Sequence, residues 1–91
     1  MQNFTTLANE SITLKTPRGS HTLACRYITL LQGRVYEINV PDNELLRHGI
    51  RGEEAESIAY RSQDFPISYR ALIRSPNPSG WIFKVKPVLV N

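Results

Sequence analysis

The sequence predicts an α+β domain that is mainly antiparallel β. The expected architecture is a small five-stranded sheet or partly closed barrel, in the order β-β-β-α-β-β, with one short helical region. Three observations carry this expectation. Apolar and polar residues alternate over several short stretches, the period of a half-buried strand. Those stretches are separated by proline- and glycine-bearing turns. One segment, after Pro41, has both the start and the stop signals of a helix.

Residues 1–10 are polar apart from Phe4, Leu7 and Ala8 and read as an N-terminal arm, leaving 11–91 as a single small mainly-β domain. Ser11–Thr16 places Ile12 and Leu14 on one side of a strand, and Pro17-Arg18-Gly19 forms the following turn. Ser20–Leu31 reads as one long strand in which Leu23, Cys25 and Tyr27 share a face. From Ile28 the apolar parity reverses, which predicts a bulge or bend near Tyr27–Ile28. Gln32-Gly33 supplies a tight turn into Arg34–Val40, with Tyr36, Ile38 and Val40 inward and Val35, Glu37 and Asn39 outward.

Pro41 ends that strand, because proline cannot donate to the ladder. Asp42 is then placed as a helix N-cap, with Glu44 at the positive end of the dipole. The helix is short and carries Leu45 and Leu46. Gly49 is its left-handed stop, and Ile50 folds back on it. In Gly52–Arg61 the glutamates favour a second helical stretch over the strand that the alternation of Ile58 and Tyr60 suggests. Phe65-Pro66 interrupts the chain. Ile67–Arg74 and Trp81–Pro87 form the last two strands across a long turn, Ser75–Gly80, and Val88–Val90 closes the chain. This is the element order of an OB-type barrel, an order shared by many small α+β folds.

Ninety-one residues, 41% of them hydrophobic and 21% charged, describe one globular domain able to bury an adequate core. The absence of a long apolar run and of signal-peptide features predicts a protein made in the cytoplasm, not secreted, and open to incorporation into a larger assembly. Cys25 is a lone cysteine on an alternating stretch, so it is expected as a small core residue.

The net charge of +3 is unevenly spread. Strand regions are basic, whereas residues 41–60 are acidic. If Trp81 and Phe83 point inward, Arg70, Arg74, Lys84 and Lys86 share the outer face of the last hairpin, and Arg26 and Arg34 extend the basic surface. Such a face can neutralise phosphates, dock an acidic protein, or be a solvated surface that discourages strand-to-strand aggregation. The acidic counterpart is Glu44, Glu53, Glu54 and Glu56. Opposite charges on two faces suit head-to-tail self-assembly. Single-strand nucleic-acid binding also needs stacking aromatics. Tyr36, Tyr69, Trp81 and Phe83 are needed for the core, which leaves Tyr27 and Phe65 the freer ones.

No catalytic arrangement is legible. His21 is expected to be exposed, and His48 reads as a favourable charge at a helix C-terminus. His21, Cys25 and His48 lack the paired spacing of a metal site, and no glycine belongs to a phosphate-cradling motif. The expectation is a non-enzyme with no cofactor, no metal, no small-molecule substrate and no membrane association.

The stretch GRVYEINVPDNELLRHGI, Gly33–Ile50, resembles small accessory proteins of tailed-phage virions, of head or tail decoration or connector type. The shared parts are the turn at Gly33, a central Tyr36, the Pro41-Asp42 cap, Leu45-Leu46 and the stop at Gly49. The chain departs from that pattern by adding a hairpin after residue 65. The resemblance implies a structural part, incorporated into a virion, that decorates, joins or plugs an assembly, working through partner proteins or self-assembly. The alternatives are an OB-like single-strand nucleic-acid binder and a phage- or plasmid-coded inhibitor of a host enzyme.

Overall fold

The computed structural model describes residues 5–8, 10–61, 63–76 and 79–87, of which 5–8, 68–76 and 79 are described by their backbone alone. The fold is mainly antiparallel β with one helix. Its strands are β1 (Thr5–Ala8), β2 (Ser11–Thr16), β3 (Gly19–Ala24), β4 (Tyr27–Leu30), β5 (Tyr36–Pro41), β6 (Ser57–Tyr60), β7 (Gln63–Pro76) and β8 (Ser79–Val85). They form one open sheet in the order β1-β4-β5-β8-β7-β6-β2-β3, in place of the expected five-stranded sheet or partly closed barrel.

The long strand β7 organises this sheet. Its first residues pair with β6, from Tyr60↔Gln63 to Ser57↔Pro66, and the remainder pairs with β8 as far as Pro76↔Ser79. The ladder to β8 is irregular between Ile67 and Leu72. Phe65-Pro66 therefore does not end a segment, contrary to the sequence reading. The proline, with no N–H to donate, lies where the strand passes from one ladder to the next. The turn expected over Ser75–Gly80 is also shorter, since Ser75 and Pro76 are still paired with Gly80 and Ser79.

The inward faces enclose one core. Ile12, Leu14 and Leu23 come from β2 and β3, Ile28, Ile38 and Val40 from β4 and β5, and Ile58, Phe65, Phe83 and Val85 from β6, β7 and β8. Thr16 is buried at the β2–β3 turn, where its hydroxyl accepts the Arg18 N–H (3.1 Å) and donates to the Gly19 carbonyl (3.3 Å).

The reversal of parity near Tyr27 is real, but it reflects a change of partner strand. β3 stops at Ala24, and the chain crosses through Cys25-Arg26 to begin β4 beside β5. The Cys25 N–H donates to the Glu10 carbonyl (2.7 Å) and the Arg26 N–H to the Asn39 carbonyl (2.8 Å), which pins the crossover. β1, within the stretch expected as an arm, pairs with β4 from Thr5↔Leu30 to Ala8↔Tyr27. Gly52–Glu54 is a single 3₁₀ turn, and β6 is a strand between β2 and β7, not a second helix. Pairing on both edges and burial of Ile58 and Tyr60 outweigh the local pull of the glutamates. The region from Val88 lies outside the described residues.

Helix α1 (Asp42–Arg47) leaves β5 directly. Pro41 holds the N-cap position and Asp42 is already helical, which corrects the expected cap. The C-terminal reading holds in detail. Gly49 takes φ 67°. Its N–H donates to the Leu46 carbonyl (3.0 Å), and the Ile50 N–H donates to Leu45 (3.1 Å), the paired bonds of a Schellman stop. Leu45 and Ile50 are both buried against the core.

Candidate docking site

Of the basic residues singled out from the sequence, Arg34 and Lys86 fall near one end of β5 and Arg26 near the other. Arg26 is exposed at the crossover, at the Tyr27↔Asn39 end of the β4–β5 ladder. Arg34 is exposed at the opposite end, in the 3₁₀ turn Gln32–Arg34, and Lys86 is exposed just beyond the Tyr36↔Val85 pair. Lys84 lies across the ladder from Glu37, their charged groups 4.0 Å apart. Glu37 also accepts the Tyr27 hydroxyl at 2.8 Å. Burial, then that bond, push the phenol up to about 12.

Arg74 is registered opposite Trp81, with Ile73 opposite Ile82, whereas Lys84 has the other parity along β8. Arg70 falls in the irregular part of β7 between Ile67 and Leu72. The register thus does not align Arg74 with Lys84 on a single outer face, as the alternation had suggested. The side chains of both arginines lie outside the described residues.

The aromatics differ from expectation too. Phe65, expected as a free stacking residue, is completely buried, with the Tyr36 ring 5.0 Å away. Trp81, expected inward, is only half-buried, stacked beside Phe83 with ring centroids 6.2 Å apart. Asn39, expected outward, is buried, and its Oδ1 lacks a hydrogen-bond partner among the described residues.

Among the acids, Glu44 accepts the Ala24 N–H (2.8 Å) and meets Arg47 (2.6 Å). The backbone bond foremost, then Arg47, hold its carboxyl below the ordinary value against the opposing effect of burial. Glu54 accepts the Arg51 N–H (2.9 Å) and pairs with Arg18 (3.1 Å), while Glu53 and Glu56 are exposed. Glu44 and Glu54 are therefore committed to their own chain, and Arg47 and Arg51 lie within the same segment.

Cys25 is buried, and desolvation, followed by Glu10 and Glu44, pushes its thiol up to about 12. At neutral pH it is a protonated, unreactive core group. His21 is half-buried rather than exposed, edge-on to His48 with ring centroids 5.8 Å apart and Nε2 3.4 Å from Thr16 Oγ1. No three of His, Cys, Asp and Glu come together at metal-holding distance among the described residues. No described helix is long and apolar enough to cross a membrane.

The feature that the sequence did not disclose is a groove of about 330 Å³ where α1, the following loop and the start of β8 meet. Its apolar walls are Leu45, Leu46, Ile50 and Trp81, with Gly52 at the base and Asp42, Arg51 and Glu53 around it. Gly52 is buried, and a β-carbon there would stand 2.2 Å from the indole, so the glycine gives Trp81 its seat. Arg18 fixes the loop from the β2–β3 turn, donating to the Gly49 carbonyl at 3.0 Å while pairing with Glu54. Leu46, on the rim, is 78% exposed and is the large apolar side chain that the described residues leave in solvent. One signal was present: consecutive leucines on a short helix point about 100° apart, so a narrow buried stripe accommodates one of them.

Comparison of the chain with family models, with curated proteins and with solved structures finds no match.

Proposed function

We propose that this protein is a non-catalytic interaction protein that works by docking to protein surfaces through the groove beside α1. The observation that carries this reading is the 78%-exposed Leu46 on the rim of a groove walled by Leu45, Ile50 and Trp81. A lone exposed leucine is common on protein surfaces; what distinguishes Leu46 is its place beside a cleft that Leu45, Ile50 and Trp81 also line. Charged groups, Asp42, Arg51 and Glu53, line the groove together with the apolar ones, a mixture that protein interfaces also show. The likeness of Gly33–Ile50 to accessory parts of tailed-phage virions points to the same kind of role, a part that joins or decorates an assembly.

The test is site-specific photo-cross-linking in the protein's native cells, with the reactive residue placed at Leu46 or, as control, at Thr22, exposed on β3. Discrete adducts from position 46 and none from position 22 are expected. No adduct from position 46 would refute the reading.

A further inference from the structure

We infer that the occupant of this groove is the same groove of a second copy, in a two-fold dimer in which each Leu46 inserts between Leu45, Ile50 and Trp81 of its mate. The inference rests on the interaction reading above and gives the partner an identity.

The patch is complementary to itself in shape. It carries a projecting side chain, Leu46, and directly beside it a cleft walled by leucine, isoleucine and indole. A two-fold axis through such a patch satisfies both at once, because a surface that contacts itself must present knob and hole together. No other described residue supplies an exposed large apolar knob. A head-to-tail contact between different described faces would leave the cleft without an apolar filler.

The patch is also complementary to itself in charge. Asp42 stands in the first turn of α1 and Arg51 follows its end, both lining the groove, while Arg47 is paired with Glu44 of its own helix. Two copies of α1 running antiparallel about a two-fold axis bring the acidic start of each toward the basic end of the other and oppose the helix dipoles. A foreign segment of one charge sign would meet like charge, from Arg51 if basic or from Asp42 and Glu53 if acidic. A mixed rim of this kind selects a partner with the same mixture in two-fold order.

The helix end that presents the knob is held in place. Gly49 and Ile50 close it with the Schellman bonds, and Arg18 ties the adjoining loop to the β2–β3 turn. The rim thus reaches the encounter already shaped, which lowers the ordering cost of association.

The experiment is sedimentation equilibrium of the purified full chain and of Leu46→Glu, from micromolar concentrations up to roughly 1 mM, beyond which association is weak. A third sample, otherwise wild type, carries an apolar photo-cross-linking residue in place of Leu46. Leu46 is exposed, so the variant keeps the fold, checked by its circular dichroism. The wild type is expected to reach twice the chain mass, and the cross-linker sample to yield an adduct of that mass. Leu46→Glu is expected to weaken the dimer about a hundredfold, because each dimer loses two inserted leucines worth about a factor of ten apiece.

A wild-type dimer unaffected by Leu46→Glu would overturn the inference. So would a wild-type monomer throughout the range. If that monomer still traps a foreign protein through position 46 in cells, the interaction reading stands without self-docking. If it traps nothing, both readings fall.

Discussion

Replacing Gly52 by alanine is the sharpest perturbation of the groove. A β-carbon at this position would lie 2.2, 2.4 and 2.7 Å from three ring carbons of Trp81. Carbon atoms in contact settle near 3.5 Å, so the indole must retreat by about 1.3 Å. Phe83, its ring centroid 6.2 Å away, restricts that movement on one side, and movement into the groove would narrow it. Two effects of opposite sign compete. Alanine restricts the unfolded chain and alone would stabilise by about 0.4–1 kcal/mol, while forcing a side chain out of a packed position costs about 1–3 kcal/mol. The clash wins, and a net loss of about 1–2 kcal/mol is expected, or roughly 4–16 °C in Tm for a domain of this size. Thermal and urea unfolding followed by circular dichroism measures this loss. Emission from Trp81, the sole tryptophan, reports the displaced ring. A gain in stability with unchanged emission would show that the indole does not sit on Gly52.

Other outcomes concern the core and its titrating groups. Phe65→Ala should cost about 3–5 kcal/mol in urea unfolding, the loss for a fully buried aromatic, whereas an exposed stacking residue would cost almost nothing. Above pH 9 the unfolded chain releases the Cys25 proton while the folded chain holds it up to about 12. Stability contributed by that group is whole below pH 9 and declines as pH rises, by up to about 1.4 kcal/mol per pH unit. Cys25→Ala should flatten the decline between pH 9 and 10, before Tyr27 begins its own. Glu44 has the opposite sign: its lowered carboxyl contributes stability above the ordinary carboxylate value, and that contribution is lost as pH falls through the folded value. Glu44→Gln should therefore be less stable at neutral pH, with the difference from wild type shrinking on acidification.

What could be read from the sequence was what local chemistry decides. The turn at Pro17–Gly19 and the stop at Gly49-Ile50 depend on residues a few positions apart, and both stand where the sequence placed them. β6 was misread because Glu53, Glu54 and Glu56 are local signals for a helix start, whereas the strand is made by partners on both sides, β2 and β7. Alternation gave Asn39 the outward parity, yet the side chain is buried beside Gly80, a neighbour far along the chain. The groove was out of reach for the same reason. Trp81 and Gly52 are distant in sequence, and only the β5–β8 pairing of Val40 with Trp81 brings the indole to the loop that follows α1. Charge was legible as composition but not as a surface, because residues 68–71 break the regular count along β7 and Glu37, Glu44 and Glu54 each engage a nearby cation.

The emission of Trp81 as a function of protein concentration tests the central claim most directly, since this single indole lines the groove that a second copy is proposed to fill. On concentration from the micromolar to the millimolar range the wild-type spectrum should shift to the blue as the ring loses water, in step with the rise in sedimented mass. The Leu46→Glu spectrum should stay fixed over the range in which the wild type shifts. A wild-type spectrum that does not move while the protein dimerises would place the contact elsewhere and contradict the account.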